Sequence, residues 1–313
     1  MQVALQVLLL IGGLAVAIVA SDRAVAYARA LAAGLGAPPF LVGVVLVSIG
    51  TDLPEIANSV ASHLQGKADV NVGDSLGSTL TQYTLVLGLF PLVIAKIAID
   101  RRQMGLVSLL TIAGLGLTTF AVSDGNLGRP DGIMLVVAWA VFTLVLIRAL
   151  PSEAPDEPPP VRHEGRLRQA GLVLVALAFV GAGATLAVRA LVRLAEYAGI
   201  PEFILAFFGA SLGTSAPEIA VDVTALLRGA PAIALGDALG SSLVDATLSI
   251  GVGPIVAPGD VTTRLAVTAA VYSAVAVAVV GTLLAARRVH DRLGTTVLFG
   301  LYGLAYVVLL GAE

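Results

Sequence analysis

The sequence predicts an all-α polytopic membrane protein, with ten transmembrane helices arranged as two inverted five-helix repeats. Three observations lead there. The chain is 58% hydrophobic and 12% charged, with a mean hydropathy of +0.96, whereas a soluble domain carries about 25% charged residues. Apolar runs such as Val3–Ala20, Met104–Val122 and Leu265–Ala286 are each long enough to cross a hydrocarbon core of about 30 Å as a helix. The chain also repeats itself at one constant offset. Gly50–Glu55 (GTDLPE) returns as Gly213–Glu218 (GTSAPE), and Gly73–Gln82 returns as Gly236–Asp245. Nearly half of the positions from Gly50 to Gly88 are identical to their counterparts in the second copy, without a gap.

In chain order, spans are expected at 3–21, 39–63, 70–95, 104–122, 131–149, 169–189, 203–227, 231–256, 264–286 and 294–311. The apolar N-terminus has no basic n-region or cleavage pattern and reads as a retained first span. The longest polar stretch is Pro151–Gln169, and its Pro158–Pro160 run cannot continue a helix. The expected organisation is therefore a first repeat over 1–150 with its motif at 48–88, a cytoplasmic linker over 151–168, and a second repeat over 169–313 with its motif at 211–251. With the N-terminus outside, 13 Lys and Arg fall on the inner segments and 5 on the outer ones. That bias predicts a cell-membrane protein with both termini extracytoplasmic. Five spans per half is odd, so the second half enters from the opposite side, which makes the repeat an inverted one. The pairing extends upstream, where Gly36, Pro38 and Phe40 align with Gly199, Pro201 and Phe203.

The composition excludes several functions. There is no cysteine, which removes thiol catalysis, disulfides and zinc thiolate sites. The net charge of −3, without a basic patch interleaved with aromatics, gives no nucleic-acid partner. No organic cofactor is expected and the chain is not read as an enzyme. The expected partners are the lipid bilayer and transported cations, with the monomer as the functional unit.

The motifs place prolines and carboxylates inside apolar sequence. Pro54 lacks an N–H and crowds the preceding turn, so the helix should break near Gly50. Freed carbonyls at mid-depth need partners, and a desolvated cation is one. Glu55 follows Thr51 by four residues and shares its face, and Glu218 follows Thr214 in the same way. Ser78 and Gln82 share a face, as do Ser241 and Asp245. With Asp52 and Ser215 these residues make an oxygen-only set, suited to hard cations, with Ca²⁺ favoured over Mg²⁺ and Na⁺ as competitor. Four unpaired carboxylates there would cost about 10 kcal/mol, so cations or protons must neutralise them. Asp74 and Asp237, each following a glycine, read as helix N-caps. Asp22 should pair with an arginine. His63, His163 and His290 are given no chemistry, and Trp139 and the tyrosines read as lipid-facing or packing residues.

These residues resemble the calcium/cation antiporter superfamily, specifically the prokaryotic sodium/calcium exchangers, whose two repeats carry Gly-Thr-Ser-Leu-Pro-Glu and Gly-Ser-Asn-Ile-(Ala/Phe)-(Asp/Asn). Gly50–Glu55, Gly213–Glu218, Gly77–Gln82 and Gly240–Asp245 match those elements. The resemblance covers essentially the whole chain. It implies ten helices, four central cation sites and alternating access by sliding of the first and sixth helices. It implies that Glu55 and Glu218 hold Ca²⁺ with the carbonyls of Thr51 and Thr214. It implies that Thr51, Ser78, Thr214 and Ser241 hold Na⁺, completed by the carbonyls of Ser48 and Ser211. The chain departs from the pattern at Asp52 (serine in the family), at Gln82 (Asn or Asp) and at Thr79 and Ser242 (asparagine). Those departures leave Ca²⁺/H⁺ exchange open beside Ca²⁺/Na⁺ exchange, and Asp245 leaves K⁺ dependence open. An intramembrane aspartyl protease built on Asp52 and Asp245 leaves both glutamates unexplained. A cation channel would instead pass uncoupled current.

Overall fold

The computed structural model describes residues 2–150, 165–197 and 215–310. Helix α1 spans Gln2–Leu35. Helix α2 spans Pro39–Thr51 and α3 spans Leu53–Leu64, with the break between them at Asp52. Helices α4 (Ala68–Val93), α5 (Arg101–Ala121) and α6 (Arg129–Ala149) complete the first repeat. The second repeat supplies α7 (Arg166–Tyr197), α8 (Ala216–Leu227), α9 (Pro231–Val256), α10 (Thr263–Arg287) and α11 (Arg292–Leu310). Among the described residues, eight helices are long and apolar enough to cross a membrane, or nine if α2 and α3 count as one broken span. The span expected at 203–227 begins outside the described residues, and its described part, α8, is helical.

One expectation needs correction: the first span does not stop at residue 21, whereas the sixth, expected at 169–189, matches the apolar stretch Leu167–Ala187 within a longer helix. The helices α1 and α7 run to Leu35 and Tyr197. The apolar runs end earlier, but the continuations Ala24–Ala33 and Ala187–Ala195 are rich in alanine, leucine and arginine. These are strong helix formers, so the helices outlast their hydrophobic stretches. The all-α class holds, with two short ladders added in the connections. β1 (Lys96–Ala98) pairs antiparallel with β4 (Val289–Asp291), and β2 (Asn126–Leu127) pairs with β3 (Gly259–Asp260). Both ladders lie in connections between spans, too short to leave a period-two pattern.

The repeat seen in the sequence returns in local backbone conformation, at the same offset. Asp52 (φ −80°, ψ 5°) matches Ser215 (φ −82°, ψ 6°). Gly66 and Gly229 both have φ +68° and close the connection after α3 and α8. A π-helical turn at Gln82–Val86 within α4 recurs at Asp245–Ser249 within α9. Pro91 and Pro254 sit inside the last turns of those helices, and the chain leaves in extended conformation at Ile94 and Ala257. A third π-helical turn occupies Gly43–Val47 in α2.

The described chain divides into two compact units, Met1–Leu53 with Ser152–Asp237, and Pro54–Pro151 with Ala238–Glu313. In the first unit, α1 packs along α7. They cross at Gly13 and Gly183, where an added Cβ on Gly13 would sit 2.7 Å from the Gly183 carbonyl oxygen. Small residues let the two backbones approach closely in lipid. A side chain at Gly50 would strike Leu177 of α7. In the second unit α5 packs on α10, and α6 on the last turns of α9. A Cβ on Gly132 would lie 2.5 Å from the Gly251 carbonyl oxygen. A buried network ties the two halves of this unit together. His63 Nδ1 donates to the Ala257 carbonyl (2.6 Å), and Asn71 Nδ2 donates to His63 Nε2 (3.1 Å) and to the Ile250 carbonyl (3.1 Å).

His290 in β4 is wholly buried and donates from Nε2 to the Leu87 carbonyl (2.7 Å), while its Nδ1 has no partner. Burial holds this imidazole below its ordinary value, although the Leu87 bond and Asp291 act the other way and Arg287 adds to the depression. A depressed base favours the fold at higher pH, and that contribution is lost as pH falls from about 6.5 through the lowered value. Hydrogen-exchange protection across residues 96–98 and 289–291, corrected for the intrinsic pH dependence of exchange, should therefore fall between pH 7 and pH 5, and His290→Gln should abolish the change. At the α1–α7 crossing, Gly183→Val should cost about 1–3 kcal/mol by overpacking, read as a lowered melting temperature in detergent. Gly116→Ala, where an added Cβ meets nothing within 4 Å, should leave melting unchanged or raise it.

Candidate cation-binding site

The first unit holds buried carboxylates where α2 breaks and where α8 begins. Pro54 and Pro217 each remove a helical donor in the first turn of α3 and of α8, and the residue ahead of each helix, Asp52 and Ser215, is non-helical. Both are buried, and Asp52 is held locally by its N–H donating to the Ser48 carbonyl (2.9 Å). A carboxylate oxygen of Asp52 and one of Glu218 lie within 4.8 Å of each other, and both side chains are fully buried. Ionised carboxylates only accept hydrogen bonds, so neither can satisfy the other. At 4.8 Å their repulsion is about 3–4 kcal/mol at an effective dielectric near 20. The arrangement calls for a positive partner.

Thr51 and Ser48 flank these acids. The Thr51 hydroxyl has three acceptors in reach, the carbonyls of Val47 (3.2 Å) and Ser48 (3.1 Å) and Asp237 Oδ1 (3.2 Å). It has one proton to give. The Ser48 carbonyl is thus the meeting point of the Thr51 hydroxyl and the Asp52 N–H. Ser211 and Thr214, expected to mirror Ser48 and Thr51, lie outside the described residues.

In the second unit Glu55 opens α3, and Ser78 and Gln82 follow in α4, with Ser241 and Asp245 in α9. All five are buried. Glu55 lies within electrostatic reach of Asp245 and Asp74, and Asp245 within reach of Asp74. Glu55 Oε2 and Gln82 Oε1 are buried with no hydrogen-bond partner. An orphaned acceptor in such a place costs about 1–3 kcal/mol, more when charged, and a bound cation removes that cost. Gln82 and Asp245 each start a π-helical turn, a device that recurs at functional sites because it re-aims the side chains that follow.

Asp74 and Asp237 are not caps. They sit well inside α4 and α9, which begin at Ala68 and Pro231. The preceding glycine does not end a helix in either copy. Asp74 accepts from Asn58 Nδ2 at 2.6 Å, and Asp237 accepts from Thr51. Sequence reasoning passed over two residues that matter here. Asn58 is the donor to Asp74, and Asp222, fully buried one turn after Glu218, lies within electrostatic reach of Asp237. The four-residue spacing from Glu218 to Asp222, the same helical stripe, was the available signal. Asp22 pairs with Arg228 as expected, Nε to Oδ1 at 2.6 Å.

A buried glutamate in the first turn of α3 and another in the first turn of α8, inside a sequence repeat of apolar spans, mark a membrane protein built from internal repeats. Comparison with known proteins narrows the class. The chain matches the sodium/calcium exchanger protein family over residues 5–148 and 168–311. It is 31% identical over 258 residues to the putative antiporter CaxA of Alkalimonas amylolytica, covering 79% of each chain. It is 31% identical over 265 residues to the inner membrane protein YrbG of Escherichia coli (strain K12), covering 81% of this chain and 80% of that one. Its fold matches a solved structure of the sodium-calcium exchanger NCX_Mj with a TM-score of 0.81 at 23% identity, over 97% of this chain and 99% of the other. The chain belongs to the sodium/calcium exchanger family. It is a multi-pass membrane protein and a cation antiporter.

The contact between Asn58 and Asp74 carries a prediction. Asn58→Leu strips a part-buried carboxylate of its 2.6 Å donor and should cost about 1.5–3 kcal/mol, measured as a melting-temperature drop in detergent. Asn58→Asp should cost at least as much, by setting two acids against each other.

Proposed function

We propose that this antiporter exports Ca²⁺ in exchange for Na⁺ entering down its gradient, by alternating access with the cations bound at mid-membrane. The observation that carries the reading is the fully buried pair Asp52 and Glu218, whose carboxylate oxygens lie within 4.8 Å. Each aspartate or glutamate at a helix centre costs about 2.5–3.5 kcal/mol before their mutual repulsion is added. A divalent cation offsets both terms at once. The donor set is all oxygen, which suits Ca²⁺ and Na⁺ rather than softer metals.

In this reading Glu55 and Glu218 are the Ca²⁺ ligands, one from each repeat, with the Thr51 and Thr214 carbonyls. The hydroxyls of Thr51, Ser78, Thr214 and Ser241 and the carbonyls of Ser48 and Ser211 take Na⁺. Asp52, Ser215, Gln82 and Asp245 line the path. The close α1–α7 crossing at Gly13 and Gly183 supports movement of those two helices as one body. The protein works as a monomer in the plasma membrane with both termini outside, as the Lys and Arg bias implies.

Ca²⁺/H⁺ exchange is the second reading, and one observation favours it. Asp222 and Asp237 are both fully buried and within electrostatic reach of each other, and a shared proton is one way to relieve that repulsion. With the extra carboxylate of Asp52, the chain has proton carriers that the family motif lacks.

Counter-ion-resolved radiocalcium uptake into proteoliposomes separates the two. Uptake driven by an outward Na⁺ gradient with pH clamped on both sides is expected. Uptake that needs a pH gradient and ignores Na⁺ would replace Na⁺ with H⁺ as the counter-ion. Glu55→Gln and Glu218→Gln should each lower uptake at least about 100-fold while leaving the melting profile intact. Wild-type flux in either variant would remove that glutamate from the ligand set.

A further inference from the structure

A second polar feature lies outside the acidic motifs, at the start of α5. Here a cavity of about 660 Å³ is lined by Arg101, Arg102, Gly105, Leu106, Leu109 and Arg288. Its charge is lopsided. Three guanidinium groups meet one carboxylate, Asp100, and that carboxylate is already occupied as the N-cap of α5, accepting from the Gln103 N–H at 2.7 Å. Among the described residues none of the three arginines has an ion pair, although Arg287, next to Arg288, does, with Asp291 (2.9 Å).

The spacing along α5 sorts the cavity by polarity. Arg101, Gly105 and Leu109 are four residues apart and share one stripe, and Arg102 and Leu106 form the neighbouring one. Arginines therefore stand at the helix start and leucines one to two turns below. Gly105 is exposed and an added Cβ there meets nothing within 4 Å, so the floor between the two zones is open. Leu109 is 61% exposed, as a lipid-facing residue would be. The N–H groups of Arg101 and Arg102, in the first turn of a 21-residue helix, have no intrahelical acceptor and add the positive end of its dipole.

Arg288 completes the set from an unexpected backbone position. It ends α10 in the left-handed region at φ 55°, where glycine is the low-cost residue. Its carbonyl accepts from the Ile99 N–H (3.1 Å), which fixes it beside the first turn of α5.

We infer that this cavity is a binding site for an anionic phospholipid, with the phosphodiester held by Arg101, Arg102 and Arg288 and the acyl chains lying over Leu106 and Leu109. Planar guanidinium forks suit a phosphate oxygen pair. A cationic zone continuous with exposed leucine on a membrane-spanning helix fits a lipid better than a free anion, which would have no use for the apolar half. All three arginines fall on segments that the charge bias assigns to the cytoplasm, the side where anionic lipid headgroups attract basic clusters.

The test uses the full chain reconstituted in phosphatidylcholine vesicles with spin-labelled phosphatidylglycerol or spin-labelled phosphatidylcholine as probe. The wild type should immobilise the phosphatidylglycerol probe selectively. Selectivity should fall about fivefold for each arginine removed, in Arg101→Gln, Arg102→Gln and Arg288→Gly and further in their combination. Arg288→Gly is the informative single variant, because it deletes the guanidinium while suiting the left-handed backbone, so a folding defect does not explain its loss. Arg264→Gln, at the start of α10, should keep wild-type selectivity. The proposal is overturned if the wild type shows no preference, if Arg264→Gln loses as much as Arg288→Gly, or if millimolar inorganic phosphate displaces the lipid probe, which would make the cavity a free-anion site.

Discussion

Everything in this molecule answers to the difficulty of keeping negative charge in a place without water. Asp52, Glu55, Glu218, Asp222, Asp237 and Asp245 are all buried within helices whose composition belongs in hydrocarbon. A soluble protein would expose such groups or pair them with Lys and Arg. No lysine or arginine is buried among the described residues. The protein instead surrounds them with hydroxyls and broken-helix carbonyls, which suit a small cation that comes and goes. The helix breaks, the π-helical turns and the glycine crossings follow from that need, since each exposes backbone oxygen or lets helices close around it.

The duplication is more faithful in backbone than in side chains. Paired positions keep φ and ψ within a few degrees at Asp52 and Ser215, keep the left-handed glycine at Gly66 and Gly229, and keep the π-helical turn at Gln82 and Asp245. At the first and last of these pairings the side chains differ between copies. Conformation here is set by the flanking Gly and Pro, which are shared, and not by the residue at the pairing itself. That separation lets side-chain chemistry change without moving the scaffold.

Much of this was legible in the sequence. The constant offset between the two motif copies exposed the repeat, and hydropathy found the spans because lipid imposes a long apolar run on any helix that crosses it. Where the reading went astray, the cause was local. Hydropathy ends a span at its last apolar run, so α1 was cut short at residue 21, although alanine carries the helix to Leu35. The glycine before Asp74 and before Asp237 suggested a helix start, but both acids are held mid-helix by partners distant in the chain, Asn58 and Thr51. The break expected in Thr51–Glu55 falls there, at Asp52, and Gly50 beside it serves close packing against Leu177. Asp222 escaped because it has no counterpart in the first repeat, where Ser59 stands. The two β ladders were invisible because two- and three-residue strands carry no periodicity.

The match between Asp52 and Ser215 has a consequence for energetics. A transporter assembled from two equivalent halves trades one inward-facing and one outward-facing shape for each other, and with identical halves the two shapes would be equally populated. Here the same backbone corner carries a carboxylate in one half and a neutral hydroxyl in the other. In the proposed cycle the two shapes would therefore differ in free energy even with no ion bound, by an amount that shifts with whatever neutralises Asp52. Under the proposed alternating-access cycle, the unshared acids Asp52, Asp222 and Asp245 would give the empty carrier a preferred side.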